Sequence, residues 1–586
     1  MKDTVERLVS DALAAAVSAG ELDFGDTTEL PDAGIERPRD AEHGDWASTI
    51  ALRCAKQVGR NPREIAEIIS IHIERSDDIE RVEIAGPGFI NMYLSATARG
   101  AIVADILTRG LAYGSSHVGA GQKVQVEFVS ANPVGPMHVG HGRWAALGDS
   151  MARLLTATGH NVEREFYIND AGVQMDIFAR SLSLRYLELC GGIIAMPEEC
   201  YQGAYVRDLA EQIKEREGEA WVERPESERE THFRELGYEM VLEHMQKFLH
   251  DFGVDFDVWF SERTLYEGEP NAIERTLDVL QEGGYLYEHE GARWFRTTDF
   301  GDDKDRVLVK ADGSYTYFAA DIAYHKDKFD RGFERIINIW GADHHGYVAR
   351  MLAAAAALGH EGALELVIGQ LVNLFRDGVP VRMSKRTGEM VTFEELVDEV
   401  GADATRYWFL RRSTDQQVDF DLAVAAEQSA DNPIYYVQYA HARICSLLRK
   451  CEHTRRRLSS SHCATIRAHD QKQVAPRQIG LHSCLHDASS TRNFGEEYTH
   501  TAETALIRKL SEFPDIVELA ARDLAPHKLT HFAEELAAAF HHFYAHCRVI
   551  DEESVANEER LALCDATRIT LHAAFNLIGI AAPERM

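Results

Sequence analysis

One stretch of this chain restricts its fold more than any other. It begins with a compact apolar strand, QKVQVEFV, and enters a loop rich in Gly and Pro, SANPVGPMHVGHG. A helix, RWAALGDSMARLLTATG, follows directly, and then a second strand and helix, NVEREFYIND and AGVQMDIFARSLSLRYLEL. Strand and helix alternating at this spacing predict a parallel sheet covered by helices. The alternation resumes at RIINIWG, passes through the helix YVARMLAAAAALG and returns to a strand in ELVIGQLVNL. Residues 190–300 lie between the two runs and read as an irregular, acidic insertion.

The loop also carries chemistry. His138 and His141 stand three positions apart around Gly140, at the amino end of the predicted helix. That end offers unpaired N–H groups and a partial positive charge, both suited to phosphate. Gly140 leaves room for a nucleotide to approach the backbone. A His-x-Gly-His run taken alone is as readily a solvated turn. A second basic loop lies far downstream, Arg382-Met383-Ser384-Lys385-Arg386-Thr387-Gly388, just after a strand. Folded over a triphosphate, Lys385 would offset charge developing on it, whereas alone it reads as an exposed turn.

The flanking regions differ in character. Residues 1–110 read as a small α+β unit, with helices near Val5–Ser18 and Pro62–Ile73. Its strand–turn–strand segment is RVEIAGPGFINMYL. Asn61-Pro62 is a favourable helix start. Residues 111–430 hold the alternating pattern, and from 431 to 586 helical periodicity dominates. Within that last part, residues 451–500 lose the 3.6 period and become rich in His, Arg, Ser and Gln, as a solvated loop or insert would. Their thiols and imidazoles match no zinc spacing, and a shifted reading frame is an alternative origin for the segment.

Composition narrows the setting. With 62 basic and 95 acidic residues the net charge is −33, which disfavours indiscriminate nucleic-acid binding but permits a local basic groove. Nine cysteines without a CxxC pair point to reduced thiols in a cytoplasmic protein. No run of about 18 apolar residues predicts a membrane span. Asp3, Glu6 and Asp11 interrupt the first helix, so no export signal is expected.

In this order and context the two loops resemble the HIGH and KMSKS signatures of class I aminoacyl-tRNA synthetases. Three further stretches resemble the bacterial type of arginyl-tRNA synthetase. The first is EFVSANPVGPMHVGHGRWAALGDSMARLL running into YINDAG. The second is YFAADIAYH at residues 317–325, with WGADHHG at 340–346. The third is YYVQYAHAR at 435–443, with APERM closing the chain. The likeness covers nearly the whole sequence except residues 451–500. Two departures stand out: Arg382 replaces the first lysine of KMSKS, and Thr567 interrupts the Asp-Ala-Leu-Arg pattern in Cys564-Asp565-Ala566-Thr567-Arg568.

The resemblance implies a Rossmann-like parallel-sheet catalytic domain with insertions, a small α+β amino-terminal domain and an all-α anticodon-binding domain. It implies ligation of L-arginine to tRNA(Arg) through an arginyl-adenylate, with ATP accompanied by Mg²⁺ and no resident metal. Arginine would be held by Glu127, Ser130, Asn132, His138, Tyr317 and Asp321, and by Asp343 and His344. In this reading Asp321 takes the guanidinium, Tyr317 walls the aliphatic stem, and Glu127 with Asn132 takes the α-amino group. ATP would meet Pro133, Gly135, His138, Gly140, His141, Met383, Ser384 and Lys385, with His138, His141 and Lys385 catalytic. Tyr435, Tyr439, Arg443 and Arg568 would contact tRNA, although any one of these tyrosines is as readily helix core. A monomer is expected. The alternatives are a non-catalytic relative and another adenylate-forming enzyme of the superfamily. The intact histidines and Lys385 weigh against the first, and the helical carboxyl-terminal domain against the second.

Overall fold

The computed structural model describes residues 2–25, 29–38, 40–73, 78–381, 391–466, 498–551 and 555–586. At its centre lie five strands: β1 (Lys123–Glu127), β2 (Asn161–Ile168), β3 (Val258–Ser261), β4 (Arg335–Gly341) and β5 (Leu364–Gly369). They pair in the order β5-β4-β1-β2-β3, all parallel. The chain builds outward from β1 through β2 to β3, then returns to the other side of β1 with β4. In such a doubly wound sheet, ligands bind at the carboxyl ends of the strands where the order reverses, here between β1 and β4. Val124, Gln125, Val126 and Glu127 are all buried, as expected of a strand covered on both faces. Register sets Glu127 beside Asn338 of β4 and Glu165 of β2.

The helix after β1, α1 (Val139–Ala157), packs so closely that a Cβ on Gly148 would lie 2.1 Å from the Phe128 ring. A second helix, α2 (Tyr317–Asp330), precedes β4 and starts on Thr316, whose side chain accepts from the Ala319 N–H.

The segment 190–300 is more regular than its sequence suggests. It contains helices Ala204–Glu217 and Glu226–Asp251, and it supplies the edge strand β3 of the central sheet. Only four residues long, VWFS is too short to show periodicity. A helix, Ala272–Glu282, and an antiparallel sheet of Leu286–His289, Ala292–Phe295 and Arg306–Val309 follow, sharing a separate core with α2.

Near the amino end, helices Lys2–Ser18 and Pro62–His72 form as the sequence predicts, with Asn61 accepting from the Arg63 N–H at 2.9 Å. Ile50–Val58 adds a third. A four-stranded antiparallel sheet completes this unit. It meets the carboxyl-terminal helices through Arg37, which donates to Ser511 O at 2.7 Å, and Tyr113 Oη, which donates to Leu510 O at 3.1 Å.

The carboxyl-terminal region is helical. It includes α3 (Pro433–Ile466), α4 (His527–His546) and α5 (Glu558–Ile578), with shorter helices Thr501–Ser511 and Phe513–Arg522. The expected loop at 451–500 is corrected over its first part, because α3 continues to Ile466. Residues 467–497 lie outside the described residues. The final residues return to α3, where His441 Nδ1 bonds Pro583 O at 2.9 Å and Arg449 donates to Glu584 O at 2.8 Å. Among the described residues, no helix is long and apolar enough to cross a membrane.

Candidate active site

β1 ends at Glu127, and the chain then turns through two residues with positive φ, Val129 (68°) and Ser130 (45°). A β-branched valine there costs roughly 1–3 kcal/mol, the kind of strain that gathers at functional turns. The turn brings Ser130 Oγ to 2.9 Å from Glu127 Oε1, to which it donates, while it accepts from the Tyr167 N–H at 3.2 Å. The other carboxylate oxygen, Oε2, accepts from Lys328 Nζ of α2 at 2.6 Å. Asn132 donates to the side chain of Gln174.

Asp321, also on α2, faces a different environment. Its carboxyl is pushed up to about 7, chiefly by burial and then by the charges of Glu262 and Glu127, against the pull of a Tyr347 hydrogen bond and the Arg350 guanidinium. Glu262, after β3, is 4% exposed and is likewise pushed up to about 7 by burial and by Asp170, while hydrogen bonds with Tyr266 and Tyr167 pull it down. Among the described residues, neither Asp321 nor Glu262 forms an ion pair. Two carboxyls so placed favour an arriving cation. Tyr317, at the start of α2, is 73% exposed.

On the other side of the switch point, His138 is the N-cap residue of α1. The rings of His138 and His141 stack with centroids 3.7 Å apart, and the His138 N–H donates to His141 Nδ1 at 3.2 Å. A Cβ on Gly140 would lie 2.8 Å from the His138 ring, and one on Gly135 would lie 2.7 Å from the Tyr205 ring. The glycines therefore keep this cradle open, which fits a nucleotide phosphate at a helix amino end. Pro133 is buried in the same loop.

Met383, Ser384 and Lys385 lie outside the described residues, but both flanks of their loop are fixed. Before it, the Val381 N–H donates to Leu374 O at 2.8 Å; after it, the Phe393 N–H donates to Met137 O at 2.9 Å. Thr392 bridges His138 directly. Thr392 and Phe393 are thus anchored on the histidine loop.

Asp343 and His344 stand on the turn after β4, both exposed, 3.5 Å from each other. The same turn carries Tyr347, which hydrogen-bonds Asp321, so it lies against the pocket carboxyl. On the carboxyl-terminal helices, Tyr435 and Tyr439 stack with centroids 6.1 Å apart. The Arg443 guanidinium lies 6.0 Å from the Tyr439 ring and 4.4 Å from that of Tyr544. Arg568, on α5, is held by Asp565 at 2.7 Å.

Sequence reasoning missed Glu262, Lys328 and Tyr347. Glu262 is one acid in an acidic stretch, and Lys328 reads as an ordinary helix cation. For Lys328 the available signal was spacing: residues 321, 325 and 328 share one face of α2.

Known proteins match this chain throughout. The description "tRNA synthetases class I (R), catalytic domain" fits residues 102–445, "Arginyl tRNA synthetase N terminal domain" fits 3–94 and "DALR anticodon binding domain" fits 437–586. An arginine–tRNA ligase of Syntrophotalea carbinolica is 45% identical over 590 residues, spanning 100% of both chains. One of Bacillus subtilis is 44% identical over 592 residues, spanning 100% of this chain and 99% of its own. The fold is shared with Thermus thermophilus arginyl-tRNA synthetase, at a TM-score of 0.71 and 21% identity over 100% of both chains. By these matches the chain belongs to the class I arginyl-tRNA synthetase family.

Proposed function

We propose that this protein ligates L-arginine to tRNA(Arg) in two steps driven by ATP. An oxygen of the arginine carboxylate attacks the α-phosphorus, the bond to the bridging oxygen breaks and pyrophosphate leaves. A hydroxyl of the terminal tRNA ribose then attacks the activated carbonyl, and AMP leaves.

The observation that carries this reading is the pair of carboxyls, Asp321 and Glu262, set among Tyr167, Tyr266 and Tyr347 with no ion-pair partner among the described residues. A guanidinium brings five donors in a planar fork and suits such a pair. Glu127, Ser130 and Asn132 take the α-amino end, and Tyr317 closes over the stem. His138 and His141 contact the phosphates at the amino end of α1, and Lys385 stabilises charge at the α-phosphorus. Such a transfer depends on alignment and charge more than on covalent catalysis. Mg²⁺ arrives on the ATP phosphates, with no protein residue assigned to it. Asp343 and His344 border the arginine pocket.

Tyr435, Tyr439, Arg443 and Arg568 meet the tRNA, where the exposed Tyr439 ring and the half-buried Tyr435 ring stack on splayed bases. The protein acts as a monomer, and it works in the cytoplasm, where cysteines that carry no CxxC pair stay reduced.

Exchange of labelled pyrophosphate into ATP, run with each amino acid in the presence and absence of a tRNA(Arg) transcript, tests the reaction. Exchange with arginine alone is expected. Exchange supported by a different amino acid, or none under any condition from folded protein, overturns the reading.

A further inference from the structure

Lys328 is completely buried, an unusual place for an ammonium group unless it is paired. Its surroundings account for it. Nζ lies 2.6 Å from Glu127 Oε2 and 3.0 Å from Asn338 Oδ1, and 4.3 Å over the Tyr324 ring. Asn338 is fixed in turn, since its Nδ2 donates to His325 Nε2 at 2.8 Å and His325 Nδ1 donates to the Asp321 carbonyl at 2.8 Å. Asp321, His325 and Lys328 occupy one face of α2. The same helix therefore presents Asp321 to one end of the pocket and braces Glu127 at the other.

We propose that Lys328 is a positioning residue for arginine: held beneath Glu127, it fixes the carboxylate that receives the α-ammonium. This deepens the functional reading above and rests on it. Glu127 is 5% exposed and lies within electrostatic reach of Asp321. Without a cation at its back the carboxylate would turn away, because an unpaired buried charge is costly. Lys328 occupies one lone-pair direction and Ser130 another. A carboxylate has about four such sites, so acceptor capacity remains for substrate. Lys328 itself touches no substrate; it acts through Glu127.

The test compares wild type with Lys328→Met, Glu127→Gln and the double variant, reading KM for arginine, KM for ATP, kcat and thermal melting. Lys328→Met is expected to raise the arginine KM roughly 10- to 100-fold, the effect of losing a charged hydrogen bond, while the ATP KM stays unchanged. Adding Lys328→Met to Glu127→Gln is expected to change the arginine KM by no more than about twofold, because both act on one contact. Independent, multiplying losses in the double variant would overturn the proposal, as would equal rises in both KM values. Should Lys328→Met alone melt below the assay temperature, the comparison is made in the Glu127→Gln background, where no buried carboxylate is left uncompensated. A wild type that fails to charge arginine overturns the functional reading. A wild type that charges arginine beside an unaffected Lys328→Met overturns only the role of Lys328.

Discussion

Arg406 donates to the carboxylate of Asp149, and both side chains are only 1% exposed. Asp149 sits on α1, the helix that begins at the histidine loop. Arg406 also donates to Ile578 O on α5 at 3.2 Å and to Phe252 O at 3.3 Å. One guanidinium thus ties the signature helix to the last helix of the chain. Gly579 makes room for it, since a Cβ there would lie 2.1 Å from Arg406 Nη2. Removing one partner of such a pair strands the other in the core, so Asp149→Ala is expected to cost about 3–5 kcal/mol, read as a lower melting temperature. A variant that melts like wild type would mean the pair contributes nothing.

The two raised carboxyls are expected to dominate arginine affinity. Asp321→Asn and Glu262→Gln keep the shape of each side chain and remove its charge. Each is expected to raise the arginine KM roughly 10- to 100-fold, with little change in the KM for ATP. Steady-state aminoacylation across arginine concentrations checks this. An unaltered arginine KM in either variant would place that carboxyl outside the pocket.

The same groups set a pH dependence. In the empty protein Asp321 and Glu262 are raised from 3.8 and 4.5 to about 7. A guanidinium needs them ionised, so arginine binding is expected to weaken as pH falls through 7 and to release protons near 7. Calorimetry in buffers of different ionisation enthalpy measures that release. The stability sign is opposite. Because the folded protein holds these protons more tightly than the unfolded chain, the stability they contribute is complete below about 4 and is lost as pH rises through 7. Glu262→Gln is therefore expected to raise the melting temperature of the empty protein above pH 7, and to lose that advantage in acid.

Much of the sheet was legible because β1 and its loop carry both periodicity and unusual residues. His138, Gly140 and His141 stand out by their spacing, whereas Asp321 was reached only through the family resemblance of YFAADIAYH. Glu262 was not legible, because its significance comes from burial against Tyr167, which is distant in sequence, as well as beside Tyr266, four residues on. β3 was missed because four residues show no period. The reading of 451–500 failed at its start because α3 carries a polar composition through to Ile466, so helical continuity outlasts the amphipathic pattern. Glu127 was read as a substrate ligand without its partner, since nothing in the sequence places Lys328 beneath it.

In the proposed function Lys385 acts in the chemical step. Lys385→Ala is expected to lower kcat far more than it raises the arginine KM, because charge at the α-phosphorus develops only in the transition state. Single-turnover measurements separate the two effects. An equal loss in kcat and in arginine binding would assign Lys385 to the ground state instead.

The most direct test is transfer of labelled arginine to a tRNA(Arg) transcript by the purified protein in the presence of ATP. Acid-precipitable arginine that accumulates with wild type, and falls sharply with Asp321→Asn, is the predicted result. Folded protein that leaves the transcript uncharged, or charges it equally well without the Asp321 carboxylate, would contradict the account.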